Sequence, residues 1–527
     1  AQDGQTVTLL ADAAEDVVIS KSITLDLGGK TLTNTNAGKA TISVDNGVTA
    51  TAKNGSVVGG TSFYNIQVGK AVNSTANLTL ENVTATAGNT GSSMIDNWGT
   101  LTIESGDYEG GLNVVKSEEG STLTINGGKF TLNHAVSNNY NGVILSAGMT
   151  KITDGEFIQN ATTTPKWAHP TVVLAMKVDG YDSKIVITGG KFTNKKSGEK
   201  IFHGSGKATS DNFEVSGGTF NKSISDGYCA EGFIPTKNAD GTYGVKAGKY
   251  VAEVKGTKYE TLQEAVDAAR NTTVKMLANT NENVTITAYN VTLDLNGFTL
   301  NGGTGTAKAA LTNYGTITIK DSSDEQTGTI KRDDNGTVGE TSYYVINNKG
   351  TMTIESGTVA NNSGYRKQNA SGSMVGSSLI CNGDDNELTA VLNIKGGKFE
   401  QENFITIKNG SLGTLNVSGG EISSKHSAIQ NWCKADITGG TINGQLWTDA
   451  WEAGSSVGKT TISGDAKFTG EIVMDITGSN VIPELEITGG ELNVTNWRIT
   501  NAAAKAGAKP AISGGTFNEP VKPEWCA

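Results

Sequence analysis

The chain has 527 residues, of which 68 are Gly, 7 are Pro and 36% are hydrophobic. Glycine is far above its usual ~7% share but has no every-third period, and no apolar run nears the ~18 residues of a membrane span, so a collagen and a membrane-inserted fragment are both excluded. Against 53 Asp+Glu stand 42 Lys+Arg, a net charge of −11, with no basic run longer than two residues; nucleic acid is not an expected partner, because no basic stripe is present to displace phosphate counterions.

From the start of the chain, Val7-Thr8-Leu9-Leu10 and Ile23-Thr24-Leu25-Asp26-Leu27 read as short strands closed by Gly28-Gly29. A phrase then recurs: Leu123-Thr124-Ile125-Asn126-Gly127-Gly128-Lys129-Phe130, again at 185–192 and 213–220, and later at 392–399, 415–422, 485–492 and 511–517. Periods of about 20 to 34 residues signal stacked supersecondary units. Within each phrase the apolar residues alternate with polar ones, the period of a strand, and no helical stripe recurs. One such coil cannot bury its apolar face alone. Coils stacked ~4.8 Å apart pair every strand in parallel and continue the core from rung to rung. Gly-Gly supplies the backbone angles of a tight corner. The predicted fold is an all-β parallel β-helix solenoid; antiparallel sandwiches, the competing architecture, do not account for the repeated phrase.

A longer repeat overlies the first. Ile23 to Leu32 matches Val291 to Leu300, Thr61-Ser62-Phe63-Tyr64 matches Thr341-Ser342-Tyr343-Tyr344, and Gly217 to Ala230 matches Gly514 to Ala527. The prediction is therefore two tandem copies: 1–227, a small β capping or linker subdomain at 228–258 around Asn238-Ala239-Asp240-Gly241, and 259–527. The second copy opens with a helix at Tyr259 to Arg270, where Thr261 and Glu264 have capping-box spacing and Leu262, Ala265, Val266 and Ala269 share one face. That helix is expected to cover the open end of the second β-helix. Ala1 to Gly4 align with the end of the helix, so both ends are expected to be excisions from a longer array.

Candidate chemistry is sparse. Asp333-Asp334 and Asp384-Asp385 are the adjacent acidic pairs, without the His or Arg companions a polysaccharide hydrolase needs, and are assigned to turns. Arg498 lies in a strand-like segment with no acidic cluster in sequence, and reads as a surface arginine. His134, His169, His203 and His426 lack ligand spacing, so no metal or other cofactor is implied. Cys381 and Cys433 fall about two rungs apart, beyond the ~7 Å reach of a disulfide, and free, mostly buried thiols are predicted. The repeat is interrupted by Thr164 to Pro170, Asn361 to Lys367 and Leu446 to Trp451. Insertions in a solenoid become loops on one face, which makes Trp167, Tyr365, Arg366, Trp447 and Trp451 the candidate binding residues, since an exposed aromatic is a broad plate with a polar edge. Trp98 and Trp432 are assigned to the stack. Threonine pairs such as Thr6/Thr8, Thr122/Thr124, Thr316/Thr318 and Thr351/Thr353 raise ice binding, but their unequal spacing argues against the register a flat ice face needs.

The phrases Ile-Thr-Leu-Asp-Leu-Gly-Gly-Lys-Thr-Leu, Tyr-Glu-Thr-Leu-Gln-Glu-Ala-Val-Asp-Ala-Ala and Ser-Gly-Gly-Thr-Phe-Asn resemble the pectin-lyase-fold repeats of adhesin-like surface proteins from Gram-positive gut bacteria. The resemblance spans nearly the whole chain and implies a right-handed β-helix, tethered outside the cell and facing host or neighbouring surfaces. It carries over no site residues. The functional expectation is a non-catalytic adhesin-like module binding a host or microbial glycan, glycoprotein or secreted protein such as immunoglobulin. The alternative is an extracellular polysaccharide lyase or glycoside hydrolase on the same fold.

Overall fold

The computed structural model describes residues 1–135, 140–161, 169–302, 308–332, 344–361, 367–368, 374–375, 378–383, 389–401, 404–452, 456–477 and 481–527. The chain is all β with 5% helix, wound as a parallel β-solenoid of about 17 turns. It forms two compact units, Ala1–Lys249 and Tyr250–Ala527.

In the first unit a full turn lays down three strands, and each pairs in parallel with its counterpart one turn on. The first ladder runs from Thr6–Thr8 and Thr24–Asp26 to Phe213–Val215, the second from Ala13–Ala14 and Thr31–Thr33 to Thr219–Phe220, and the third from Val17–Ile19 and Ile42–Val44 to Phe202–Gly206. Strand alternation sends every second side chain inward, so register builds columns. On the first ladder one inward column is Leu25, Ala52, Leu80, Ile103, Ile125, Ile152, Ile187 and Val215. On the second, the closing aromatic of each phrase stacks on the next: Tyr108, Phe130, Phe157, Phe192 and Phe220 have successive ring centroids 5.0, 4.9, 4.8 and 5.4 Å apart. The rung spacing thus coincides with the separation at which offset rings attract.

The Gly-Gly corner between these columns has two separate causes. A Cβ at Gly189 would meet the Thr153 carbonyl oxygen of the previous rung at 2.1 Å, and Gly190 has φ +96°. The first glycine is required by close approach, the second by a left-handed backbone.

Threonines do come into register. Thr6, Thr24, Thr51, Thr79, Thr102 and Thr124 form one outward column on successive rungs, which overturns the expectation drawn from their unequal spacing. Strand pairing fixes the register, and the connections absorb the difference in length. Two residues along, the neighbouring outward row is Asp26, Lys53 and Glu81; this charged border, rather than misregister, argues against an ice face.

The second unit repeats the three-ladder plan with its own core. Its third ladder encloses a buried column of amides. Asn313, Asn348, Asn382, Asn409 and Asn431 each donate from Nδ2 to Oδ1 of the next, at 2.8, 2.7, 2.7 and 2.8 Å, and the last donates to Thr460 Oγ1 at 2.9 Å. The second N–H of each reaches a backbone carbonyl, as in Asn382 Nδ2 to Thr414 O at 3.0 Å. Asn348 is 0% exposed and has a double role, since its Oδ1 also accepts the Gly350 N–H that begins the corner.

Residues 228–258 hold two antiparallel hairpins. Phe233–Lys237 with Tyr243–Ala247 joins the first unit through Phe220 and Tyr243, and Ala252–Val254 with Thr257–Tyr259 joins the second through Ala252 and Met276. The helix Leu262–Ala268 follows, with Thr261 and Glu264 in a reciprocal capping box. Its Leu262, Ala265 and Val266 are buried in the same core as Val274, Met276 and Val284. Cys229 and Cys526, after the short turns Asp226–Tyr228 and Pro523–Trp525, bridge in parallel to Val215 and Ile512. None of the four cysteines is in a disulfide, and only Cys381 is buried; Cys229 and Cys433 are half-buried and Cys526 is exposed, so the expectation of mostly buried thiols holds for Cys381 alone.

Candidate functional site

The outward middle residues of the third ladders gather aromatic and charged side chains on a strand surface. In the second unit the column reads Lys408, Gln430, Trp447, Val473 and Arg498. Val473 is small and 0% exposed, and Arg498 reaches back across it, its guanidinium carbon 5.0 Å from the Trp447 ring centroid. Glu471 anchors the cation: its Oε1 accepts from Arg498 Nε at 3.3 Å and Asn496 Nδ2 at 2.7 Å, and its Oε2 from Gln445 Nε2 at 2.5 Å. Burial works against the Glu471 charge, but the hydrogen bonds from Gln445 and Asn496 and the Arg498 charge hold its carboxyl below the usual range. The result is a fixed plate of indole and guanidinium with a carboxylate rim. Beside it, Trp432 Nε1 donates to Asp449 Oδ2 at 3.0 Å, with Lys408 Nζ 5.5 Å from the Trp432 ring centroid.

In the first unit the corresponding column carries Gln67, Asp96, Lys116 and Leu145. Asp96 is 0% exposed and Glu118 5%. Asp96 Oδ2 accepts from Gln67 Nε2 at 3.3 Å and Trp98 Nε1 at 3.0 Å, and Lys116 Nζ pairs with Glu118. Burial pushes Glu118 up to about 7 despite the pull of Lys116, with Asp96 adding to the rise; burial also raises Asp96. Burial and then the Asp96 charge raise the Tyr64 phenol. Two carboxyls thus share one ammonium in a desolvated setting, where holding both charged is costly. A pocket of about 300 Å³ opens beside this group, lined in part by Tyr64, Asn113 and Lys116.

Of the residues singled out by sequence, Trp167, Tyr365 and Arg366, with Asp333, Asp334, Asp384 and Asp385, lie outside the described residues. Trp447 is not on a loop: it sits in the long strand Lys434–Glu452, whose backbone also includes Trp451, and is half-buried. The apparent interruption at 446–451 is a rung of the third ladder written without the usual phrase. Arg498, read as an ordinary surface residue, belongs to the same plate. Trp98 and Trp432 directly follow third-ladder strands, Trp98 half-buried and Trp432 8% exposed, and neither belongs to a core cluster; each indole N–H donates to a carboxylate, that of Asp96 and of Asp449. Tyr64, Asp96, Lys116 and Glu118 were not foreseen. They converge only through rung register, and their spacing in sequence carries no motif. Among the described residues no His, Cys, Asp or Glu group has metal-holding geometry, and no helix is long and apolar enough to cross a membrane.

No protein-family model matches the chain, and neither a curated protein nor a solved structure matches it.

Proposed function

We propose that the chain is a non-catalytic, adhesin-like binding module of an extracellular surface protein, recognising a host or neighbouring-cell glycan, glycoprotein or secreted protein such as immunoglobulin. The observation that carries this reading is the Trp447 and Arg498 plate, held by Glu471 on the outer side of the third ladder. Tryptophan and arginine are the side chains that most often anchor interfaces, and here neither must be ordered on binding, because strand pairing and Glu471 already fix them. The likeness of the repeats to adhesin-like surface proteins supports an extracellular setting.

Surface plasmon resonance against immobilised mucin glycoprotein and immunoglobulin tests the reading. Trp447→Ala is expected to weaken binding to the recognised partner by about tenfold or more, the scale of an interface anchor, with an unchanged circular dichroism spectrum. Binding equal to that of the unaltered chain would contradict the assignment. Turnover on a polysaccharide panel would instead favour the lyase or hydrolase reading.

A further inference from the structure

We infer that the pocket on the outer side of the first unit's third ladder is a subsite for one neutral pyranose residue of a glycan; this rests on the glycan arm of the function proposed above. At about 300 Å³ the pocket is at the lower end of small-ligand sites, the size of one ring rather than a chain. Its walls match the two-sided chemistry of a sugar ring. Tyr64 lines it with an aromatic ring, braced by Phe63 with ring centroids 4.6 Å apart. Along the floor the outward column changes within one rung from Lys116 to Leu145, and Met176 lines the same cavity. A ring with an apolar face and a hydroxyl edge meets both characters at once.

The polar groups are held before any ligand arrives. Asn113 donates from Nδ2 to Ser93 Oγ at 3.1 Å and its Oδ1 accepts from the Gly142 N–H at 2.9 Å, so its orientation costs nothing on binding. Charge then selects among sugars. Behind Lys116 stand Asp96 and Glu118, two buried carboxyls for one ammonium. Among the described residues the floor has no surplus positive charge, and a uronate or other acidic sugar would bring a third carboxylate into a weakly screened site. Neutral hexosides and N-acetylhexosaminides fit; hexuronides do not.

Saturation-transfer NMR on the full chain, titrated with a methyl hexoside, a methyl N-acetylhexosaminide and a methyl hexuronide, tests the inference. At least one neutral glycoside is expected to saturate and the hexuronide to show no transfer. Tyr64→Ala is expected to weaken the neutral ligand by about tenfold, and Tyr64→Phe, which keeps the ring, by no more than about twofold. Equal or stronger binding of the hexuronide, indifference to Tyr64→Ala, or no binding of any glycoside would each overturn it. If glycosides fail while the chain still binds mucin or immunoglobulin with sensitivity to Trp447→Ala, only the pocket assignment falls. If neither partner binds, the proposed function falls as well.

Discussion

Glu118 shows how the solenoid places an ionisable group where side-chain identity alone would not put it. It follows Ser117, a register partner of Asn97, and so emerges beside Asp96 and Lys116 on the outer side of the ladder. Desolvation raises its folded pKa to about 7, above its ordinary value of 4.5. A carboxyl with a raised folded pKa binds more protons in the folded state than in the unfolded state between those values, so its contribution to stability is full below about pH 4.5 and is lost as pH rises through about 7. Asp16, Asp321 and Glu471, whose values are lowered, act in the opposite sense, which makes the difference between variants the informative quantity. Urea unfolding of Glu118→Gln, compared with the unaltered chain at pH 5 and pH 8, is expected to show the variant gaining relative stability at pH 8. A difference independent of pH would place Glu118 in an ordinary solvated setting.

At the scale of the element, the repeated phrase was legible because its parts do separate jobs. Leu123 and Ile125 fill first-ladder columns, Gly127 and Gly128 turn the corner, and Phe130 joins the aromatic column. The asparagine column was less legible. Asn-x-Gly reads locally as a turn, and only the stacking of rungs reveals that Asn313, Asn348, Asn382, Asn409 and Asn431 are mutual partners. Asn382 is central: it accepts from Asn348 and donates to Asn409 and to the Thr414 carbonyl. Asn382→Ala removes a partner from both neighbours inside a dry column, and a buried polar group left unpaired costs roughly 1–3 kcal/mol. Denaturant unfolding of the second unit is expected to show a loss of about 2 kcal/mol or more; a loss near zero would mean that water enters the column.

At the scale of the whole chain, architecture could be read from sequence far more fully than function, for a physical reason. A solenoid core is written in alternation and corner glycines, both local, whereas its outer surface is written in register, which unequal connections hide. The threonine column and the Trp447 plate show the two consequences. Thr6 to Thr124 align despite irregular spacing, and Trp447, apparently in an insertion, occupies a regular rung. Recognition through Trp447 is therefore placed on a strand, where geometry is fixed, rather than on an excursion from the solenoid. Hydroxyl-radical footprinting of the chain bound to mucin glycoprotein tests that claim directly. Oxidation of Trp447 is predicted to slow on binding while the exposed Tyr289 and Tyr314, 71% and 46% accessible, oxidise at unchanged rates. A bound complex in which Trp447 oxidises as fast as in the free chain would contradict the account.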